Sequence, residues 1–235
     1  MPSTSNLYDD IQTRSYERTD CAVFRKTKEA FGGLSNMAGG FPLKVNGVII
    51  RTSEALYQAC RFPHMPDVQK LIINQKSPMT AKMKGKPHRS NSRADWNNVQ
   101  INIMRWCLRV KLAQNWSNFS NLLLETRDLH IVEETRRDQF WGAKPVDEET
   151  LNGMNVLGGI LMELRTEVKT GDHALLLNVQ PLSIPNFDLF GEPIEPVLLG
   201  SALEDTTQSN INIRAGDKLK PIQGVLFDDP LVKTG

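Results

Sequence analysis

The sequence predicts an α+β fold, predominantly helical over residues 53–168, with small β elements around the helices and no parallel Rossmann sheet. Three observations carry this. Apolar residues recur at helical spacing behind capping residues at several points after Ser53. Asn46-Gly47 sits between β-branched runs in 43–50, the strongest short hairpin signal. After Gly171, Pro181, Pro185, Pro193 and Pro196 interrupt every longer pattern and leave only short strand-like pieces.

Residues 1–20 are polar and read as an arm that Leu7, Tyr8 and Ile11 can dock. Residues 22–25 read as a short strand, and a glycine-rich loop with apolar anchors follows at 31–40. A helix opens at Ser53-Glu54, with Thr52 or Ser53 as its cap and Ala55, Leu56, Ala59 and Cys60 on one stripe. Glu54 then lies at the helix start, where a carboxylate gains from the dipole and the free amides. Pro66-Asp67 starts a second helix with Val68, Leu71 and Ile72 inward, and Ser77-Pro78 a short third that ends in a basic loop. Asp95 is the expected cap of a helix to about Gln114, with Val99, Ile103, Trp106, Cys107 and Val110 inward. A turn or short helix at 118–124 and a strand at 129–133 precede a last helix over 152–168, with Val156, Ile160, Leu161 and Leu164 inside. Its Gly158-Gly159 pair costs about 1 kcal/mol per glycine relative to alanine, which close approach of another segment or a ligand would explain. Residues 174–179, 211–214 and 219–227 read as strands. The expected organisation is an arm (1–20), a main domain (21–170) and a β-rich extension packed on it (171–235).

A chain of 235 residues suits one well-buried core plus a smaller appendage. Hydrophobic residues at 40% and charged residues at 23% exclude wholesale disorder, and a net charge of +1 excludes a basic tail protein or an acidic solvating chain. Cys21, Cys60 and Cys107 form no CxxC pair and fit a reduced compartment. The four histidines are isolated, so neither a zinc finger nor a HExxH site can be written, and neither metal nor cofactor is expected. No apolar run approaches the roughly 18–20 residues of a bilayer span, and the start lacks an apolar secretory h-region. The expectation is a cytoplasmic protein with no membrane partner.

Neutrality hides a local bias. Residues 61–111 carry eleven bases against Asp67 and Asp95 alone, whereas 125–149 carry eight acids against four bases. Facing one cleft, the basic part could hold phosphate while the acidic part does chemistry; a solvated basic face is the competing explanation. Helical spacing puts Glu54, Tyr57 or Gln58, and Arg61 on one face. Trp141-Gly142, after a strand and a charged turn, offers a stacking wall for a planar ring, or a core plug. Asp138 can take turn amides or a sugar hydroxyl, and Asp95-Trp96 repeats the pairing of acid and indole. The glycine-rich loop is neither GxxxxGK[ST] nor GxGxxG, and no GxSxG elbow exists, so P-loop, Rossmann and serine-hydrolase readings fall away.

Taken in order, these motifs resemble the NADAR family, also called YbiA-like. The pieces are Leu34-Ser35-Asn36, Ser53-Glu54-Ala55, Tyr57-Gln58-Ala59-Cys60-Arg61-Phe62, Ala81-Lys82, Gly85-Lys86, Asp95-Trp96, and Met104 with Lys111. Val132-Glu133, then Asp138-Gln139-Phe140-Trp141-Gly142, and finally 153–165 from Gly153-Met154-Asn155 to Arg165 complete the series, which covers about 24–168. One departure matters: the family's usual lysine before Phe62 is Arg61, which can pin a phosphate but cannot act as a neutral amine nucleophile.

The resemblance implies a YbiA-like N-glycosidase. Its expected substrate is ADP-ribosylated guanine in DNA or other nucleic acid, from which it would remove ADP-ribose. A small phosphorylated N-riboside, such as a ribosylamino-pyrimidine phosphate of riboflavin biosynthesis, is the alternative, and a non-catalytic ADP-ribose or nucleic-acid binding module is another. Breaking a C1′–N bond builds positive charge on the sugar, which a fixed carboxylate can stabilise. Glu54 is the first choice for that role and Asp138 the second. Arg61, Lys82 and Lys111 are the expected phosphate contacts, Trp96 and Trp141 the walls, and Asn36 and Asn155 the polar positioners. Tyr57 and Gly142 complete the expected binding set. The proton donor to the leaving base is unassigned.

Overall fold

The computed structural model describes residues 12–171 and 173–199. Strand β1 (Arg14–Glu17) pairs antiparallel with β7 (Thr150–Gly153), which also pairs with β6 (Lys144–Pro145). Part of the segment read as a polar arm is therefore a sheet strand, and its Tyr16 turns inward onto a small cluster with Val132, Ala143 and Leu151. Strand β2 (Cys21–Phe24) pairs parallel with β5 (His130–Glu133). Parallel strands need a long crossover, and here most of the helical domain supplies it. Ile131 and Val132 are both fully buried, although a one-sided strand would alternate. The reason is that β5 is covered twice: Ile131 joins the main core, and Val132 joins the small cluster under β7.

The hairpin of β3 (Leu43–Val45) and β4 (Val48–Ile50) forms as predicted. Asn46 (φ 48°) and Gly47 (φ 74°) are both left-handed, the pairing that a two-residue turn of this kind demands. Helix α1 (Ser53–Cys60) is buried at every residue, and Thr52 caps it, its hydroxyl accepting the Ala55 N–H at 3.3 Å. In α2 (Pro66–Ile73) Val68 and Ile72 face inward, but Leu71 is exposed and Gln69 takes a buried place. Gln69 earns that place by hydrogen bonding: it donates to the Ala59 and Asp188 carbonyls and accepts the Phe190 N–H. Helix α3 (Pro78–Gly85), capped by Ser77, runs into a 3₁₀ turn over Lys86–Asn91.

Helix α4 (Trp96–Gln114) is the central element, with every expected inner residue buried. Asp95 precedes it but does not cap it, because Arg93 holds its carboxylate through two contacts of 2.6 and 3.0 Å. Helix α5 (Trp116–Glu125) follows. Helix α6 (Val156–Thr170) starts later than predicted, because 150–153 is strand β7 and Asn155 (φ 51°) turns the chain between them. A Cβ on Gly158 would sit 2.0 Å from the Ile131 carbonyl oxygen, so close approach of β5 requires that glycine; Gly159 faces open space.

The strand predicted at 174–179 is instead α7 (His173–Leu176) followed by β8 (Asn178–Val179), which pairs with β11 (Val197–Leu198). Strands β9 (Asp188–Leu189) and β10 (Glu192–Pro193) form a second small pair. This region lies on α4, where the Trp106 indole N–H donates to the Gln180 carbonyl at 3.0 Å and the ring meets Phe187 edge-on at 4.9 Å. Leu7, Tyr8, Ile11 and the strands expected at 211–214 and 219–227 lie outside the described residues. Among the described residues, no helix is long and apolar enough to cross a membrane.

Candidate functional site

A cavity of about 430 Å³ opens where α1, the glycine-rich loop, α3 and the turn after β5 meet. Asn36, Glu54, Tyr57, Arg61, Lys82, Asp138 and Trp141 all line it, so acid, base and indole side chains from distant segments do converge. A second cavity of about 330 Å³, between α4 and residues 176–182, has mainly apolar walls and no acid in its lining. It lacks the groups for acid–base work.

Glu54 is the most tightly held group at the first cavity, at 2% exposure. It is the second residue of α1, and its N–H donates to the Asn36 carbonyl at 2.9 Å. Asn36 answers with its side chain, donating Nδ2–H to Glu54 Oε2 at 2.5 Å. Gln58, one helical turn on, donates to Oε1 at 2.9 Å, and Lys82 Nζ stands 3.9 Å from the same oxygen. The carboxylate is thus fixed by two amides in fully buried surroundings, with one cation at its open side.

Acids also line the cavity from β5 and the turn after it. Asp138 accepts the Phe140 and Trp141 N–H groups on Oδ1, at 3.2 and 3.0 Å, which pins the turn that presents the Trp141 ring. Trp141 meets Tyr57 edge-on at 5.7 Å. Burial pushes the Tyr57 hydroxyl well above the ordinary phenol range, so it stays neutral. Glu133 also faces the cavity. Burial first, and then the charge of Glu54, push its carboxyl up to about 7, against the pull of Lys82.

Arg61 supplies the strongest anion-seeking group. Its guanidinium lies 4.2 Å above the Trp96 ring, has no carboxylate within ion-pair distance among the described residues, and leaves its buried Nε without a hydrogen-bond partner. Burial, then the neighbouring Arg89 charge, lower its pKa from the usual guanidinium value, as expected of cations awaiting an anion.

Trp96, Lys111, Gly142 and Asn155 do not line the cavity; each supports a residue that does. Trp96 packs beneath Arg61 and 5.1 Å from Tyr57. Lys111 is fully buried, donates to the Gly33 and Ser35 carbonyls at 2.6 and 3.0 Å, and lies over the Phe41 and Phe119 rings. Two of its three N–H groups hold the loop that carries Asn36, and the ammonium lies outside the cavity lining where a phosphate would sit. Gly142 has no room for a side chain, since a Cβ would lie 2.4 Å from the Glu133 carbonyl oxygen. Asn155 accepts the Glu133 N–H at 3.1 Å and donates to the Ile131 carbonyl at 2.8 Å, fixing the end of β5. Glu133 and Arg89 had no role assigned from sequence. The Val-Glu at the end of a predicted strand, opposite an acid-rich turn, was the available signal for the first; Arg89 was indistinguishable from its basic neighbours. Among the described residues no cluster of His, Cys, Asp or Glu could hold a metal ion.

The NADAR domain pattern matches residues 23–169. The chain belongs to the NADAR family. Within it, N-glycosidase YbiA of Escherichia coli (strain K12) is 35% identical over 145 residues, covering 62% of this chain and 86% of that protein. Riboflavin biosynthesis protein PYRR, chloroplastic, of Zea mays is 31% identical over 185 residues, which is 72% of this chain but only 28% of that protein. The NMR structure of the E. coli protein YbiA is similar with a TM-score of 0.55 at 33% identity, covering 63% of this chain and 84% of that one. All residues lining the first cavity, from Arg25 to Leu157, fall inside the NADAR match.

Proposed function

We propose that this NADAR protein is an N-glycosidase that hydrolyses the bond between C1′ of a phosphorylated ribose and a base nitrogen, and that it removes ADP-ribose from guanine in nucleic acid. The observation that carries the reading is the Glu54 carboxylate, fully buried and clamped by Asn36 and Gln58 at the wall of a cavity that also presents Trp141 and several cations. Departure of the base leaves positive charge on the ribose ring. A rigid carboxylate beside C1′ stabilises that charge without reorganising, and it can take a proton from the attacking water. Asp138, with Oδ1 committed to turn amides, has on Oδ2 no partner among the described residues and can offer it to a ribose hydroxyl. Arg61 and Lys82 receive the phosphates, with Arg89 beside Arg61, and more than one cation suits a diphosphate. Trp141 forms a wall for the base.

Nucleic acid is favoured over a free nucleotide by what lies outside the cavity. Lys76, Lys84 and Lys86 are exposed on α3 and its flanks, the same segment that sends Lys82 inward, and no acid stands among them. Such a ridge attracts a polyanion. The names of relatives such as PYRR favour the second reading, a ribosylamino-pyrimidine phosphate. Product release from an ADP-ribosylated guanine oligonucleotide, measured beside a ribosylamino-pyrimidine phosphate, decides between them. Turnover of the first alone supports the proposal, turnover of the second alone replaces it, and binding without product from either reduces the protein to a recognition module.

A further inference from the structure

The nitrogen that leaves C1′ must gain a proton, and Glu54 and Asp138 each accept two N–H groups, as a carboxylate does. A third acid on the cavity wall, Glu133, is better suited to carry that proton in. Its main chain is fixed at the end of β5, the N–H donating to Asn155 Oδ1 at 3.1 Å and the carbonyl accepting the Ala143 N–H at 2.8 Å. Its part-buried carboxyl group opens on the cavity and has no hydrogen-bond or ion-pair partner among the described residues. Charged groups face it from each neighbouring element: Glu54 from α1, Lys82 from α3 and Asp138 from the following turn. Arg25, Arg61 and Arg136 line the same space. The two glutamates are thus treated differently, Glu54 by two amide donors and Glu133 by none.

We propose that Glu133 is the general acid, passing its carboxyl proton to the base nitrogen as the C1′–N bond breaks. This rests on the N-glycosidase reading above. Burial and the nearby Glu54 charge push the Glu133 carboxyl up to about 7, so a neutral solution leaves it a large share of the proton. The electron pair of the C1′–N bond goes to nitrogen, which takes the proton and leaves Glu133 as carboxylate. Water adds its oxygen to C1′ and gives a proton to Glu54. Glu54 then releases that proton to solvent and Glu133 regains one, so the sum is one water consumed per bond broken. Two carboxyl groups held in unequal surroundings are the general device for dividing acid from base work.

The test uses two ADP-ribosides of the same anomeric configuration: the guanine adduct, whose nitrogen needs a proton, and a 4-nitrophenyl ADP-riboside, whose phenolate does not. Glu133→Gln is expected to lose roughly a hundredfold or more in kcat on the guanine adduct, with KM little changed, and to retain the nitrophenyl rate within about threefold. Equal losses on both substrates, or near-normal rates on both, overturn the assignment. An independent arm needs only the wild-type protein. Its kcat/KM on the guanine adduct should fall above pH about 7, while the nitrophenyl substrate shows no such fall. A limb shared by both substrates, or absent from both, overturns it too. If the wild type hydrolyses neither compound, the ADP-ribosyl-guanine reading fails and takes this assignment with it. Hydrolysis of both without discrimination by the variant removes Glu133 alone.

Discussion

Glu54 is a side chain whose surroundings were assembled for it: one amide from the preceding loop, another from the next turn of its own helix. Glu54→Gln keeps the shape and removes the charge. It should leave folding and ligand affinity nearly intact and lower turnover by about a hundredfold or more, read by steady-state kinetics beside equilibrium binding. Lys82→Ala is expected to raise KM for phosphate-bearing substrate much more than for its dephosphorylated analogue. Because Lys82 also stands 3.9 Å from Glu54, a smaller loss in kcat should accompany it. Glu133 makes a prediction about stability. A carboxyl raised from 4.5 to about 7 on folding holds a proton that the unfolded chain has already released across that window. Stability therefore declines as pH rises from about 4.5 to about 7, and the loss is complete above the folded value. Glu133→Gln should abolish that decline, so its advantage in denaturant unfolding should grow from pH 5 to pH 8 by about 1–3 kcal/mol.

At the scale of elements, α4 is the spine that sets the site. Its Lys111 reaches across to hold the Gly33 and Ser35 carbonyls, and the next residue of that loop is Asn36, the clamp on Glu54. Burial alone pushes the Lys111 ammonium down to about 7, while two carbonyls and two ring faces favour its charge. Lys111→Met should cost about 2–4 kcal/mol by orphaning those carbonyls, and the surviving folded fraction should show reduced kcat, seen in melts paired with active-site titration. Lys111 falls four residues after buried Cys107, so its inward place was legible in the helical spacing, and a preference for lysine as a phosphate ligand hid it. The hairpin at Asn46-Gly47, the α1 cap at Thr52 or Ser53 and the inner face of α4 were equally legible, because each is fixed by neighbours within a few residues. Strand β7 was not. Its partner β1 lies far away in the chain, and nothing in 150–153 announces that pairing. Leu71 and Gln69 exchanged places for a similar reason, since only the remote Asp188 and Phe190 give a buried glutamine its partners. In the site, the kinship of Glu54 and Gln58 was written in their spacing, whereas the special surroundings of Glu133 arise from segments that meet only on folding.

For the whole molecule, a net charge of +1 conceals a division of labour. The cavity sets acids against cations, and the exposed lysines of the α3 region extend the positive side outward. A double change, Lys84→Ala with Lys86→Ala, should weaken binding of an ADP-ribosylated oligonucleotide and reduce the slope of log affinity against log salt by about one to two. ADP-ribosyl guanosine, lacking the flanking phosphates, should bind the variant as it binds the wild type. Equal weakening of both would place those lysines in folding or in the cavity instead of on a polynucleotide track.

The tight seat of Gly158 against the Ile131 carbonyl has a consequence for how the protein can diverge. That contact fixes the depth at which α6 rides over β5, and the strand it touches ends in Glu133. New substrate preferences are therefore accessible through wall residues such as Met37, Met104 and Leu157, which line the cavity. A mutational library that varies those three and keeps glycine at 158 should yield folded enzymes with altered selectivity. One that randomises 158 should return almost only glycine among its survivors, whatever substrate is used for selection.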